Sequence, residues 1–260
     1  MQYTPQPTDS GVSHWKRSLM VTAIVLAGGT GTRVGAGVPK QFVEVMGKPI
    51  LAYTLEIFQQ NQNVDDIEVV CHADWISEAE RIIEEYGIDK ARWVCEGGST
   101  FQGSVLNGVM NLKGKLSDDD VVVVTFGAAP MTPQEDIDDS IRVCKLHGNG
   151  IASADISLCT CAKDDEESST QNIIRETLKG FANPWSFRYG ELLEAYEIAV
   201  EGGLLDELEP HTTSLYFALG KRIWFSQSTT PQVKITRKHD IDHFEGQLLL
   251  EQRRRSEQSE

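Results

Sequence analysis

Hydrophobic positions along the chain follow two alternating patterns. Short apolar runs bounded by glycine or polar residues recur at Val21–Ala27, Ile67–Cys71, Arg92–Cys95 and Val121–Val124. Such runs lack the polar alternation of a sheet with one wet face, and predict strands covered on both sides. Between them, apolar residues recur at helical spacing. Ile50, Leu51, Leu55 and Phe58 share a face behind Pro49, and Ile76, Ala79, Ile82 and Ile83 share one in the stretch Trp75–Tyr86, which stops at Gly87. Val105, Leu106, Val109 and Met110 mark a helix with Ser99 or Thr100 as its cap, and Ile137, Ile141 and Cys144 mark another beginning at Pro133. Strand and helix in alternation predict an α/β fold with a Rossmann-like, doubly wound, mostly parallel sheet.

The alternation breaks over Ile151–Thr177. There the polar tract AKDDEESSTQN separates two β-rich pieces, Ile156–Cys161 and Ile173–Leu178, which predicts a protruding β-arm at about 151–178. Helical spacing returns over Tyr189–Val200, short strands are expected at Arg222–Ser226 and Val233–Thr236, and an amphipathic helix at Ile241–Leu250. The chain therefore reads as a disordered lead-in (1–19), a single domain (20–252) and a charged tail (253–260) holding Arg253, Arg254 and Arg255.

Composition narrows the function classes. Acidic residues outnumber basic ones by 39 to 24, giving a formal net charge of −15, which argues against a nucleic-acid partner without forbidding a small anionic ligand. The five cysteines show no framework spacing, and Cys159-x-Cys161 has no second pair to complete a zinc site; a reducing, cytoplasmic setting is expected. Residues 1–19 lack the apolar core of a signal peptide, and no apolar run approaches the roughly 18 residues of a membrane helix. The triplet Asp118, Asp119 and Asp120 precedes a strand rather than following one, so it reads as a solvated turn and not as a metal site.

The chemistry concentrates after the first run. Ala27, Gly28, Gly29 and Gly31 form a turn in which backbone N–H groups can approach an anion, and Arg33 and Lys40 follow with positive charge. Val34 stands where a dinucleotide fingerprint needs its third glycine, and no G-K-[ST] follows. A dinucleotide-dependent oxidoreductase is thereby disfavoured.

The string L-A-G-G-x-G-x-R followed by P-K-Q-F resembles the polyol-phosphate cytidylyltransferases, whose members act on 2-C-methyl-D-erythritol 4-phosphate or ribitol 5-phosphate. The resemblance runs from about Thr22 to Leu250. It implies a fold of the nucleotide-diphospho-sugar transferase type and transfer of CMP from CTP to a polyol phosphate, with pyrophosphate released. It also implies a homodimer joined through the arm and, for a methylerythritol acceptor, a place in isoprenoid biosynthesis. By this resemblance Arg33, Lys40 and Lys234 are the catalytic cations. Ala27, Gly28, Gly29, Gly31, Gly97, Gly98 and Ser104 would hold the nucleotide, and Arg175, Thr160 and His211 the polyol phosphate.

Several positions depart from the family pattern. Phe101 replaces an Arg, Thr125 a His, Phe126 the metal-binding Asp and Ala129 another Arg. Trp185 stands in N-P-W-S-F where the family reads T-P-Q-x-F, His211 replaces the polyol-binding Asp, Pro231 a second metal-side Asp, and Gln232 an Asn. Magnesium is the cofactor the resemblance implies, yet no metal ligand is assigned in this chain. The departures raise an alternative from another class: a catalytically degenerate homologue acting as a nucleotide-binding or protein-binding regulatory subunit.

Overall fold

Runs apolar on both faces pack as a central sheet, and the computed structural model places them so. It describes residues 18–29, 38–229 and 234–258. The lead-in through residue 17, together with Gly31, Arg33 and Val233, lies outside the described residues. The first half contains β1 (Val21–Ala27), the hairpin β2 (Glu44–Val45) and β3 (Lys48–Pro49), α1 (Ile50–Gln60), β4 (Asp66–Cys71), α2 (Ile76–Glu85), β5 (Ala91–Glu96), α3 (Phe101–Asn111) and β6 (Val121–Phe126). The second half contains α4 (Gln134–His147), β7 (Asn149–Asp155), the hairpin β8 (Thr160–Ala162) and β9 (Gln171–Ile173), β10 (Lys179–Arg188), α5 (Tyr189–Glu201), α6 (Thr212–Ala218), β11 (Phe225–Ser226) and α7 (Lys238–Gln258).

The main sheet has the order β11-β7-β10-β6-β1-β4-β5. β1 lies between β4 and β6 and is parallel to both, with Val25 opposite Val69 and Thr125. Only β10 runs against its neighbours, β6 and β7. The sheet is thus mixed and mostly parallel, as the sequence pattern requires.

Alternation along each strand sends side chains to two cores. Val21, Ala23 and Val25 of β1 join Val121 and Val123 of β6 beneath α1, α2 and α4. Ile24, Val122 and Val124 point the other way, toward Val105 and Val109 of α3 and Leu192 and Tyr196 of α5. Each fully buried aliphatic side chain contributes about 1.5–3 kcal/mol, so this double burial is what fixes β1 at the centre.

Local signals set where helices begin and end. The Thr100 hydroxyl accepts from Gly103 N at 3.0 Å and caps α3, which decides between the two cap candidates. Gly148 ends α4 with φ 91°, a backbone conformation that disfavours a side chain. At the far end of the sheet Asp120 accepts from Met20 N (2.9 Å) and Ser117 N (2.8 Å), so one member of the acidic triplet is a buried brace for the strand start.

Four boundaries differ from expectation. Residues 151–155 belong to β7 in the main sheet, so the arm is the separate β8–β9 hairpin that follows. α7 continues through the supposed charged tail to Gln258. Residues 234–236 are not a strand, and the strand expected at Arg222–Ser226 shrinks to Phe225–Ser226. The strand β10 and the helix α6 add to the expected elements.

Candidate active site

The carboxyl ends of β1 and β6, where the chain reverses its direction of winding, face a cavity of about 320 Å³. Open α/β sheets bind their ligands at this switch point because no crossover helix covers it. Gly28, Gly29, Lys40, Gly98, Ser104 and Lys234 all line it. Segments from opposite ends of the chain thereby meet: β1 ends at Ala27, and the segment before α7 returns alongside with Lys234.

The glycine turn is braced from behind. Gln41 sits in a single helical turn, Lys40–Phe42, with its side chain buried. Its amide donates to the carbonyl of Ala27 and, at 3.0 Å, to that of Gly29. Lys40 Nζ donates to the Ile235 carbonyl at 2.7 Å, joining this turn to the segment that carries Lys234.

The opposite wall is the start of α3. A Cβ on Gly98 would stand 2.5 Å from the Gly103 carbonyl carbon, so only glycine lets the chain turn this tightly into the helix. The Ser104 hydroxyl donates to Gly98 O (3.2 Å) or Thr100 O (3.0 Å), and a Cβ on Gly97 would lie 3.0 Å from it. Ser104 therefore holds the turn together. The amino end of α3 opens on the cavity through Ser99, Thr100 and Phe101, presenting the positive end of the helix dipole.

The third wall is aromatic: Phe101 and Phe126 line the cavity, and Trp185 and His211 pack against them. Phe101 lies 5.6 Å from Phe126, 5.8 Å from Trp185 and 5.5 Å from His211 (ring centroids), and Trp185 lies 5.8 Å from Phe126. All four positions are departures from the family pattern, and the fold gathers them into one patch. Behind it, Asn183 Nδ2 donates to Thr125 Oγ1 (2.9 Å) and Thr132 Oγ1 (3.1 Å), a buried neutral network. Gln102 is fully buried and donates to the carbonyls of Glu209 (2.9 Å) and His211 (3.1 Å), which sets the loop carrying His211. Lys234 Nζ sits over the Phe126 ring, 3.5 Å from its centroid.

Thr160 and Arg175 do not join this cavity within the chain. Thr160 is in β8 and donates to the Leu158 carbonyl (3.1 Å); Arg175 follows β9, donating to Ser157 O (2.9 Å) and pairing with Glu176. The sequence pattern does not single out Gln41 and Gln102, and marks Trp185 only as a departure from a family string. The P-K-Q-F and N-P-W-S-F strings contain two of them, but only burial and hydrogen bonding reveal their work.

The residues present do not fit a carboxylate-held magnesium ion. Magnesium demands oxygen ligands, ordinarily including one or two carboxylates. No described residue lining the cavity is Asp or Glu, and the described residues form no group of three or more His, Cys, Asp or Glu able to hold a metal.

A mostly parallel sheet with a glycine turn and two lysines at its switch point defines a nucleotidyltransferase-type α/β protein. The family model for 2-C-methyl-D-erythritol 4-phosphate cytidylyltransferase matches residues 21–249, and the chain belongs to that family. It is 36% identical over 231 residues to a ribitol-5-phosphate cytidylyltransferase of Lacticaseibacillus paracasei, covering 88% of this chain and 98% of the relative. It is 31% identical to a 2-C-methyl-D-erythritol 4-phosphate cytidylyltransferase of Clostridium novyi, covering 88% and 96%. Among solved structures, the 4-diphosphocytidyl-2C-methyl-D-erythritol synthase of Anaerococcus prevotii superimposes with a TM-score of 0.75 at 19% identity, covering 89% of this chain and 96% of its own. At that identity the likeness speaks for the fold. The relatives named here are transferases, and they give the degenerate regulatory subunit no support. No helix among the described residues is long and apolar enough to cross a membrane.

Proposed function

We propose that this chain transfers CMP from CTP to a polyol phosphate. A phosphate oxygen of the acceptor attacks the α-phosphorus, the bond from that phosphorus to the bridging oxygen of the β-phosphate breaks, and pyrophosphate leaves with the electron pair. The convergence of Lys40, Lys234 and the glycine turn on one cavity carries the reading. Phosphoryl-type transfer needs positioning and charge neutralisation more than covalent participation by the protein. Lys40 and Lys234 supply that charge, Gly28, Gly29, Gly98 and Ser104 line the nucleotide cradle with Ala27 and Gly97 next to them in the chain, and the sequence adds Gly31 and Arg33 just after Gly29. Ribitol 5-phosphate is the first acceptor to test, on the strength of the Lacticaseibacillus relative, and methylerythritol phosphate the second; only the latter would place the chain in isoprenoid biosynthesis.

The same reading includes a homodimer built through the arm, with Arg175 and Thr160 delivered to the partner's acceptor site. Apolar exposure on the arm and beside it supports this: Leu158 is 75% and Ile174 62% exposed, and Phe217 and Phe225 are 57% and 53% exposed at the foot. Cysteines without a disulfide among them suit the cytoplasm. The acidic balance suits small-molecule partners over nucleic acid.

Thermal unfolding with CTP, UTP, ATP and GTP tests the nucleotide. Saturating ligand at a hundred times its dissociation constant adds about 2.7 kcal/mol, which moves the midpoint of a chain this size by roughly 5–10 °C. CTP alone should give that shift. Equal shifts with all four, or none, would overturn the assignment.

A further inference from the structure

We infer that this site neutralises the triphosphate with its own lysines and holds no divalent ion of its own, so that any ion present enters and leaves as part of the nucleotide complex. The inference rests on the nucleotidyltransferase reading above.

Three observations lead to it. First, the cavity walls carry two cations, Lys40 and Lys234, and no carboxylate among the described residues. Residues 30–37 and 230–233, which follow Gly29 and precede Lys234 in the chain, contain no Asp or Glu either. Glu96, at the end of β5, is exposed and is not among the lining residues.

Second, two of the neutral side-chain oxygens at the cavity are already tied into the fold. Ser104 donates into the α3 turn and Thr100 accepts from Gly103 N, so both hydroxyls already serve the start of the helix, and neither brings the negative charge of a carboxylate.

Third, the position at which the family pattern has its metal-binding Asp carries a ring with an ammonium on its face. Phe126 orients Lys234 at 3.5 Å without cancelling its charge, whereas an Asp there would pair with that charge before any nucleotide arrived. A cation–π contact is a modest attraction, while charge-assisted bonds to phosphate oxygens are about twice as strong as neutral hydrogen bonds. The ammonium can therefore exchange the ring for a phosphate oxygen. The lysine takes over, in the same place, part of the electrostatic work a carboxylate-bound ion would do.

The test is calorimetric titration of CTP into the full-length protein, once in EDTA and once in excess magnesium, with a separate titration of manganese alone. The dissociation constants for CTP should agree within about threefold, and manganese alone should give no saturable binding. Lys234→Ala should weaken CTP binding in EDTA by about tenfold or more. Phe126→Asp should bind CTP about tenfold more weakly in EDTA than in magnesium, because the new carboxylate both pairs Lys234 and offers an ion ligand. A wild-type protein whose CTP binding falls tenfold or more in EDTA, or that binds manganese by itself, overturns the inference and leaves the transferase reading standing. Absence of CTP binding in both buffers removes the transferase reading and the inference with it.

Discussion

The Lys234 ammonium rests 3.5 Å from the centroid of the Phe126 ring, where the last residue of β6 meets the cavity. This contact joins the carboxyl end of a central strand to the segment leading into α7. It aims a positive charge along an aromatic wall. Replacing Lys234 by Ala should lower kcat by about 10²–10³-fold, the usual loss when one preorganised charge-stabilising donor is removed, with thermal stability nearly unchanged. Steady-state pyrophosphate release alongside a melting curve would check it. Lys40→Ala should lower kcat similarly but also melt somewhat lower, because it loses the bond to the Ile235 carbonyl; wild-type turnover in either variant would remove that lysine from the site.

Gln41 predicts a different kind of loss. It braces the turn by donating to the carbonyls of Ala27 and Gly29 from a buried position. Gln41→Ala forfeits hydrogen bonds worth about 1 kcal/mol each and takes from the carbonyl of buried Ala27 its amide partner. The protein should melt several degrees lower and show a raised KM for CTP, with kcat reduced less than in the lysine variants. A kcat loss with KM unchanged would mean that the turn is held by something else.

Gly98 is a steric requirement. Because an added Cβ would stand only 2.5 Å from the Gly103 carbonyl carbon, Gly98→Ala must displace the amino end of α3 and with it Ser99, Thr100 and Phe101. Overpacking of this kind costs about 1–3 kcal/mol. Urea unfolding should report that loss, and CTP binding should weaken together with it.

Glu68 predicts a pH dependence of stability away from the site. It is wholly buried in β4, and burial pushes its carboxyl from an ordinary value near 4.5 up to about 7, opposed by a 2.6 Å hydrogen bond from Asn111 and by the charge of Lys115. Its pKa is raised on folding, so the folded chain holds a proton that the unfolded chain releases. Stability should therefore fall as pH rises from about 4.5 to about 7 and stay level above, by roughly 3 kcal/mol from this group. Glu68→Gln should flatten that segment of the curve in denaturant titrations across pH. An unchanged slope would assign the dependence to other groups.

The elements covered on both faces are legible in the sequence because burial on both sides leaves an uninterrupted apolar run, as in β1, β4 and β6. β7 and β10 are not, and the reason is chemical. β7 reads NGIASAD: Gly150 packs so close under α4 that a Cβ would stand 2.3 Å from the Ser140 carbonyl oxygen, and small residues erase the hydrophobic signal. β10 carries Pro184 and buried polar residues, Ser186 at 2.8 Å from Ser140 and Asn183 on Thr125, satisfied only by partners distant in sequence. Each substituted site position is visible by itself. That Phe101, Phe126, Trp185 and His211 share one cluster depends on the fold bringing α3, β6, β10 and the start of α6 together, which no local pattern encodes.

Transfer of CMP itself is best examined by phosphorus NMR of the protein mixed with CTP and ribitol 5-phosphate, then with methylerythritol phosphate. The CTP resonances should disappear with one of these acceptors, replaced by the paired signals of a diphosphate diester and by pyrophosphate, and Lys234→Ala should show neither. CTP that binds, as titration would report, yet persists unchanged with both acceptors would mean that the chain is not a cytidylyltransferase for these polyol phosphates.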